Sequence, residues 1–248
     1  MMFRLVASQA ANPQDPRSDE PLIELASRQG PVACIWESAQ SLVVPRTYRR
    51  FGNFPEACAQ FAASGWPVAV RLSGGGIVPQ GPGIINLSLA YKAEGKPLDA
   101  SDHAYLLICQ MISRALTPFG ISCHPAAVEG SFCDGRYNLA IGRGENLRKV
   151  AGTAQVWRRL PTPDNEQAHT QVVLVHALIL ACVDIQAVTT QANRFEQMLG
   201  SDKRYKPDRA ASLFDLCTLP ECSPGDFLDA LKASLARSVD STHIPQAV

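Results

Sequence analysis

The chain has 248 residues, 23 Lys+Arg against 23 Asp+Glu, and 46% hydrophobic side chains. That composition suits a globular protein with a real core and excludes wholesale disorder, which needs low hydrophobicity and high net charge. A formal net charge of zero also argues against nucleic-acid binding by bulk charge, which needs a basic excess or stripe.

Residues 1–20 are polar, carry prolines and read as a loose arm. They lack the sustained apolar run of a secretory signal, and the most apolar stretch, 172–183, is too short for a bilayer, so a cytoplasmic protein is expected. Residues 21–28 place apolar side chains at helical spacing ahead of Gly30. Residues 32–36 and 42–44 are strand candidates. Residues 54–64 predict a helix, with Pro55 near its start and Gly65 after its end. Residues 67–72 predict a strand running into a glycine turn, and 84–91 another strand. A strong helix is predicted over 101–116, with Ser101 as its N-cap and Asp102 at the positive helix end. Residues 137–141 and 148–157 predict paired strands around Gly142 and Gly144, the second interrupted at Gly152. The β-branched run 172–183 predicts a central strand, with a buried helix as the alternative. Residues 187–199 and 224–239 predict helices, the latter capped by Ser223 with Pro224 at its first position. Strands and helices mix without regular βαβ alternation, which favours α+β over a doubly wound sheet.

Eight dispersed cysteines form no C-x-x-C pair and no Cys/His cluster with zinc spacing, so reduced, mostly buried thiols are expected. Three segments can carry chemistry. In Arg71-Leu72-Ser73-Gly74-Gly75-Gly76-Ile77-Val78, three glycines let backbone N–H groups approach a ligand, and Arg71 can bind a carboxylate or phosphate; a plain glycine loop is the alternative. It lacks the Gly-Lys-Ser/Thr ending of a P-loop. In Arg148-Lys149-Val150-Ala151-Gly152-Thr153-Ala154-Gln155, a lysine among small residues can reach a pocket and stabilise an oxyanion, or can be a solvated surface lysine. In Gly130-Ser131-Phe132-Cys133-Asp134-Gly135-Arg136-Tyr137, Cys133 has the least core-like surroundings of the eight cysteines. A cationic neighbour there, Arg136 or Lys149, would favour thiolate, a good acyl carrier; an inert loop cysteine is the alternative. His124, His169 and His176 are the candidate bases.

Taken in order, these segments resemble the lipoate branch of the biotin/lipoate protein ligase superfamily. The family's Arg-x-Ser-Gly-Gly-Gly-[Ala/Ile]-Val turn is similar to Arg71 through Val78, and its Gly-x-x-Asn-x-Ser strand to Gly83-Ile84-Ile85-Asn86-Leu87-Ser88. The family's Lys strand is matched by Lys149 through Gln155, and its His-bearing strand by Val173-Leu174-Val175-His176, running on to Val183-Asp184. The resemblance covers roughly residues 30–190 and implies an α+β fold. It predicts a mixed, largely antiparallel sheet backed by helices, like class II aminoacyl-tRNA synthetases and biotin synthetase. It makes 21–248 a single catalytic domain.

It further implies an acyl tunnel lined by Arg71, Ser73, Gly74, Gly75, Gly76, Asn86, Gly152, Thr153, Ala154 and His176. Lys149 would hold the acyl carbonyl. Similarity to amidotransferases of this kind at the Cys133 loop implies a lipoyl or octanoyl transferase. That enzyme would work through a Cys133 acyl-thioester, assisted by Lys149, and need no cofactor or metal. The alternative is a ligase that forms a lipoyl-adenylate from ATP with Mg; a non-catalytic homologue that binds lipoate or carriers is a third reading. Acceptors would be lipoyl carrier domains of the glycine-cleavage H-protein or 2-oxoacid dehydrogenase E2 type. One departure stands out: ligases commonly carry His-Asp after the glycine triplet, where this chain has Gln80-Gly81.

Overall fold

The computed structural model describes residues 1–8, 12, 15–94, 97–160, 170–218 and 222–244. Its strands are β1 (Arg4–Leu5), β2 (Val32–Trp36), β3 (Ser41–Pro45), β4 (Val68–Arg71), β5 (Val78–Gln80), β6 (Ile84–Ala93), β7 (His124–Pro125), β8 (Leu139–Ile141), β9 (Arg148–Arg159) and β10 (Gln171–Leu180). The helices are α1 (Leu22–Gln29), α2 (Phe54–Ala63), α3 (Pro97–Leu116), α4 (Ile185–Met198) and α5 (Pro224–Asp240). No helix among the described residues is long and apolar enough to cross a membrane.

A seven-stranded sheet runs β1-β2-β6-β10-β9-β8-β7, and a three-stranded sheet runs β4-β3-β5. In the large sheet only β1–β2 is parallel; the other pairs are antiparallel. The period of two along a strand gives the large sheet two different faces. Ile85, Leu87 and Leu89 of β6 and Val173, Val175 and Ile179 of β10 face one way, into a core shared with α3 and α5. There α5 presents Phe227, Leu231, Leu235 and Val239 at every fourth position. Ser234 and Ser238 lock it to α3 by donating to the carbonyls of Ala115 and Met111 at 2.8 and 2.7 Å. The alternate residues Asn86 and Ser88 of β6, and Leu174, His176 and Leu178 of β10, face the other way. Helix α1 covers part of that second face, and the rest is left open as a cleft. The small sheet packs on α2 and α4 through Leu42 and Val44 of β3, and the two helices meet in edge-on contacts of Phe195 with Phe61 and Phe54.

The α+β class, the central position of β10 and the β8–β9 pair agree with the sequence, as do the Ser223 cap and Pro224 at the start of α5. Four expectations are corrected. Ser101 is not an N-cap, because α3 already starts at Pro97; proline fits a first helical turn, having no N–H to lose. Gly152 does not interrupt β9, which runs through it to Arg159. Residues 1–20 are not a loose arm where described: β1 pairs with β2, and Ser18 and Asp19 are buried. Of the eight free cysteines only Cys34 and Cys109 are buried, the others being partly exposed.

Gly83 joins β5 to β6 at φ +81°, and its carbonyl accepts from the N–H groups of Ala181 and Cys182. A Cβ there would lie 1.9 Å from the Cys182 carbonyl oxygen. Gly83→Ala is therefore expected to destabilise the fold by about 3 kcal/mol or more, read as a lower midpoint in urea unfolding.

Candidate active site

The cleft floor is the second face of the large sheet. Cross-strand register sets Trp36 opposite Asn86, and Ser88 opposite His176, which in turn faces Ala154 of β9. Apolar walls come from Val43, Val78, Val156, Leu174 and Leu178. At one end the Gln80 and Asn86 side-chain amides pair through hydrogen bonds of 2.8 and 3.0 Å, both residues being buried. Gln80, the departure from the pattern that the ligase resemblance implies, thus fixes Asn86 in the cleft wall.

The turn after β4 is organised by Arg71. Its guanidinium donates to Ser73 Oγ at 3.1 Å and to the carbonyls of Val43, Gly74 and Gly76 at 3.0, 2.8 and 2.7 Å. Among the described residues no carboxylate pairs with it, so burial pulls its pKa down while the nearby Cys133 sulfur pushes it up. Glu20 fastens the start of the turn by accepting from the Leu72 N–H at 3.1 Å. Burial raises the Glu20 carboxyl above its ordinary range.

Cys133 packs directly on this turn. The Gly76 N–H donates to its Sγ at 3.2 Å. A Cβ on Gly75 would come within 2.7 Å of that sulfur and 3.2 Å of Arg71 Nη2, so the glycine is what lets the two loops touch. Cys133 itself adopts φ +51°, the one described non-glycine residue in the left-handed region. Its carbonyl accepts from Asn138 Nδ2 at 2.9 Å and from Lys149 Nζ at 2.9 Å.

Lys149 is fully buried and also donates to the Phe132 carbonyl at 2.7 Å, with Nζ 5.0 Å from the Phe132 ring centroid. Burial pulls its pKa down from 10.5 to about 8, opposed by the charges of Cys133 and Asp134. A Cβ on Gly152 would lie 2.7 Å from Nζ, so glycine at that point of β9 makes room for the folded-back lysine.

A polar chain crosses the cleft floor. Trp36 Nε1 donates to Ser88 Oγ at 3.0 Å, and Ser88 Oγ donates to Asp19 Oδ2 at 2.8 Å. Asp19 Oδ2 lies 2.6 Å from His176 Nδ1, and His176 Nε2 lies 2.8 Å from Ser73 Oγ.

The residues singled out from sequence thus divide into three groups. Arg71, Ser73, Asn86, Gly152, Thr153, Ala154 and His176 line the apolar cleft together with Cys133. Gly74, Gly75 and Gly76 line a second cleft, more polar and more open than the first, with Lys203 and Arg204, and Cys133, Thr153 and Ala154 line both. Lys149 lines neither: its ammonium is held beneath the Cys133 loop. His124 is exposed on β7, away from both clefts, and His169 lies outside the described residues. Sequence reasoning missed Asp19, Glu20 and Trp36. They come from the supposed arm and from an edge position, and no local pattern marks them.

Comparison with known proteins shows the family and the fold. Residues 18–236 match the family model described as the lipoyl protein ligase A/B catalytic domain. An uncharacterized protein of Cupriavidus necator is 47% identical over 201 residues, 80% of this chain and 79% of that protein. An octanoyl-[GcvH]:protein N-octanoyltransferase of Kyrpidia tusciae is 30% identical over 223 residues, 87% of this chain and 71% of that protein. Among solved structures, a bi-partite lipoate protein ligase of Thermoplasma acidophilum, studied with its E2 lipoyl domain, matches at TM-score 0.61 and 16% identity, over 96% of this chain and 84% of that one. That likeness shows the fold. The chain belongs to the lipoyl protein ligase A/B catalytic-domain family, enzymes that include lipoate–protein ligases and octanoyltransferases.

Proposed function

We propose that the protein transfers an octanoyl or lipoyl group to a lysine of a lipoyl carrier domain through a thioester on Cys133. The observation that carries this reading is the place of the Cys133 sulfur, at the junction of an apolar cleft and an open polar one. An acyl chain would lie along Val43, Val156, Leu174 and Leu178, with its carbonyl at the sulfur. The acceptor lysine would approach through the polar cleft. A thiolate there would face the Arg71 guanidinium across Gly75 and accept from the Gly76 N–H.

In the first step the thiolate attacks the donor's acyl carbonyl, and the donor's leaving group departs with a proton. In the second the acceptor amine attacks the thioester, the amide forms, the thiolate is restored and one proton is released. Lys149 acts on this chemistry by holding the carbonyls of Phe132 and Cys133, which fixes the nucleophile's backbone. No cofactor is consumed. The name of the Kyrpidia relative points to octanoyl-GcvH as a donor, and the E2 lipoyl domain studied with the Thermoplasma ligase suggests such a domain as acceptor.

Incubation with octanoylated H-protein is expected to give an octanoyl adduct on the Cys133 peptide by mass spectrometry, and addition of an unmodified lipoyl domain is expected to discharge it. The glycine turn beside Lys203 and Arg204 also suits phosphates, which favours the ATP-dependent ligase as second reading. Lipoate-dependent release of pyrophosphate from ATP, with no adduct on Cys133, would replace the transferase by the ligase.

A further inference from the structure

The polar chain on the cleft floor has a direction. The Asp19 carboxylate can only accept, so His176 Nδ1, 2.6 Å from Asp19 Oδ2, carries the hydrogen between them. In the neutral imidazole Nε2 is then the acceptor, and Ser73 Oγ donates to it at 2.8 Å while accepting from Arg71 Nε at 3.1 Å. Trp36 donates to Ser88, which leaves Ser88 to donate to the same carboxylate oxygen. Asp19, held by two donors, fixes the imidazole in the tautomer that can take a proton from Ser73.

Those are the relations of a hydrolytic triad: a hydroxyl within reach of an imidazole, and the imidazole oriented by a buried carboxylate. Asp19, Ser73 and His176 come from three distant parts of the chain, and all three line the acyl cleft. A Cβ placed on Gly74 would meet nothing within 4 Å, so the backbone following Ser73 is open to a substrate carbonyl. The Arg71 guanidinium, donating to Ser73 Oγ at 3.1 Å, would ease removal of the hydroxyl proton by His176.

The geometry points to Ser73 as a second nucleophile, giving the protein a serine-hydrolase activity on medium-chain acyl esters and thioesters. The inference rests on the reading that the apolar cleft holds such a chain. Ser73 Oγ attacks the acyl carbonyl and its proton passes to His176 Nε2. The C–O or C–S bond breaks, and the alcohol or thiol leaves with that proton. Water then gives a proton to His176 and attacks the Ser73 ester; the carboxylic acid leaves and the proton returns to Ser73 Oγ.

The test uses the native protein, p-nitrophenyl octanoate and a fluorophosphonate probe. Hydrolysis without any carrier is expected, blocked by the probe, with the phosphonyl group mapped to the Ser73 peptide. Ser73→Ala is expected to lose the label. Asp19→Asn is expected to slow labelling by roughly two orders of magnitude while keeping the imidazole in place. Labelling of Ser73 is expected to persist in Cys133→Ala, which separates the two nucleophiles. A probe that leaves native Ser73 unlabelled overturns the triad, as does hydrolysis that vanishes in Cys133→Ala but survives in Ser73→Ala. An acyl adduct absent from Cys133 while Ser73 still labels would instead sink the thioester reading and leave the triad standing.

Discussion

Cys133→Ala is expected to cut acyl transfer by about three orders of magnitude or more, equivalent to ~4 kcal/mol of transition-state stabilisation, while leaving the fold intact. The loss follows from chemistry alone, since alanine cannot form the thioester. The preserved fold follows from packing. Cys133 is half-buried; alanine loses the Gly76 N–H contact to sulfur but keeps the carbonyl contacts with Asn138 and Lys149. Alanine adopts φ +51° about as reluctantly as cysteine, so the backbone strain is unchanged and unfolding midpoints should agree within about 1 kcal/mol. Cys133→Gly would relieve that strain, and a variant no less stable than the native protein yet equally inactive would show that the thiol is what matters. Rates come from mass-spectrometric transfer between octanoylated H-protein and a lipoyl domain. Transfer that survives Cys133→Ala at more than a tenth of the native rate would end the covalent reading.

The sequence announces those parts of the site that depend on local pattern. The glycine triplet, the Asn86 strand, the Lys149 strand and the His176 strand are each short segments in which side-chain alternation or backbone freedom decides the structure. The last three lie side by side as β6, β9 and β10 of the large sheet, and the turn after β4 meets that sheet where Ser73 touches His176. What it does not announce depends on pairing between distant segments. Asp19 and Glu20 precede α1 with no periodicity to mark them, yet Asp19 meets His176 157 positions away and Glu20 meets Leu72 52 positions away. Gln80 reads as a departure from the ligase pattern until its amide is seen against Asn86. The Ser101 expectation failed because Pro97, four residues earlier, can itself begin a helix. Gly152 read as a break in β9 because a glycine weakens a strand in isolation; here the missing Cβ is the space that Lys149 occupies. The direction of the lysine is the largest surprise: alternation along β9 says nothing of a long side chain folding back beneath a loop.

Lys149→Met therefore tests two things at once. It leaves the carbonyls of Phe132 and Cys133 without their shared donor, so the Cys133 loop shifts and transfer is expected to fall by roughly a hundredfold. Arginine should not rescue it, because a bulkier head group has no room where a Cβ on Gly152 would already lie 2.7 Å from Nζ. The pH dependence carries a definite sign. Burial holds the Lys149 pKa at about 8 in the folded protein against 10.5 for an exposed lysine. Below pH 8 both folded and unfolded chains carry the proton, and the folded chain bears the full cost of a buried charge. Between pH 8 and 10.5 the folded chain has lost the proton and the unfolded chain has kept it, so the lysine's contribution to stability rises with pH by up to ~1.4 kcal/mol per unit. Above 10.5 it is constant. Urea unfolding of the native protein and of Lys149→Met at pH 7.5 and 9.5 isolates this group, since the other titrations are common to both. The difference is expected to move in favour of the native protein by about 2 kcal/mol between those pH values. A difference that stays flat, or moves the other way, would mean that the ammonium is not held in the dry site beneath the cysteine loop, and the positioning role argued for it would fall with it.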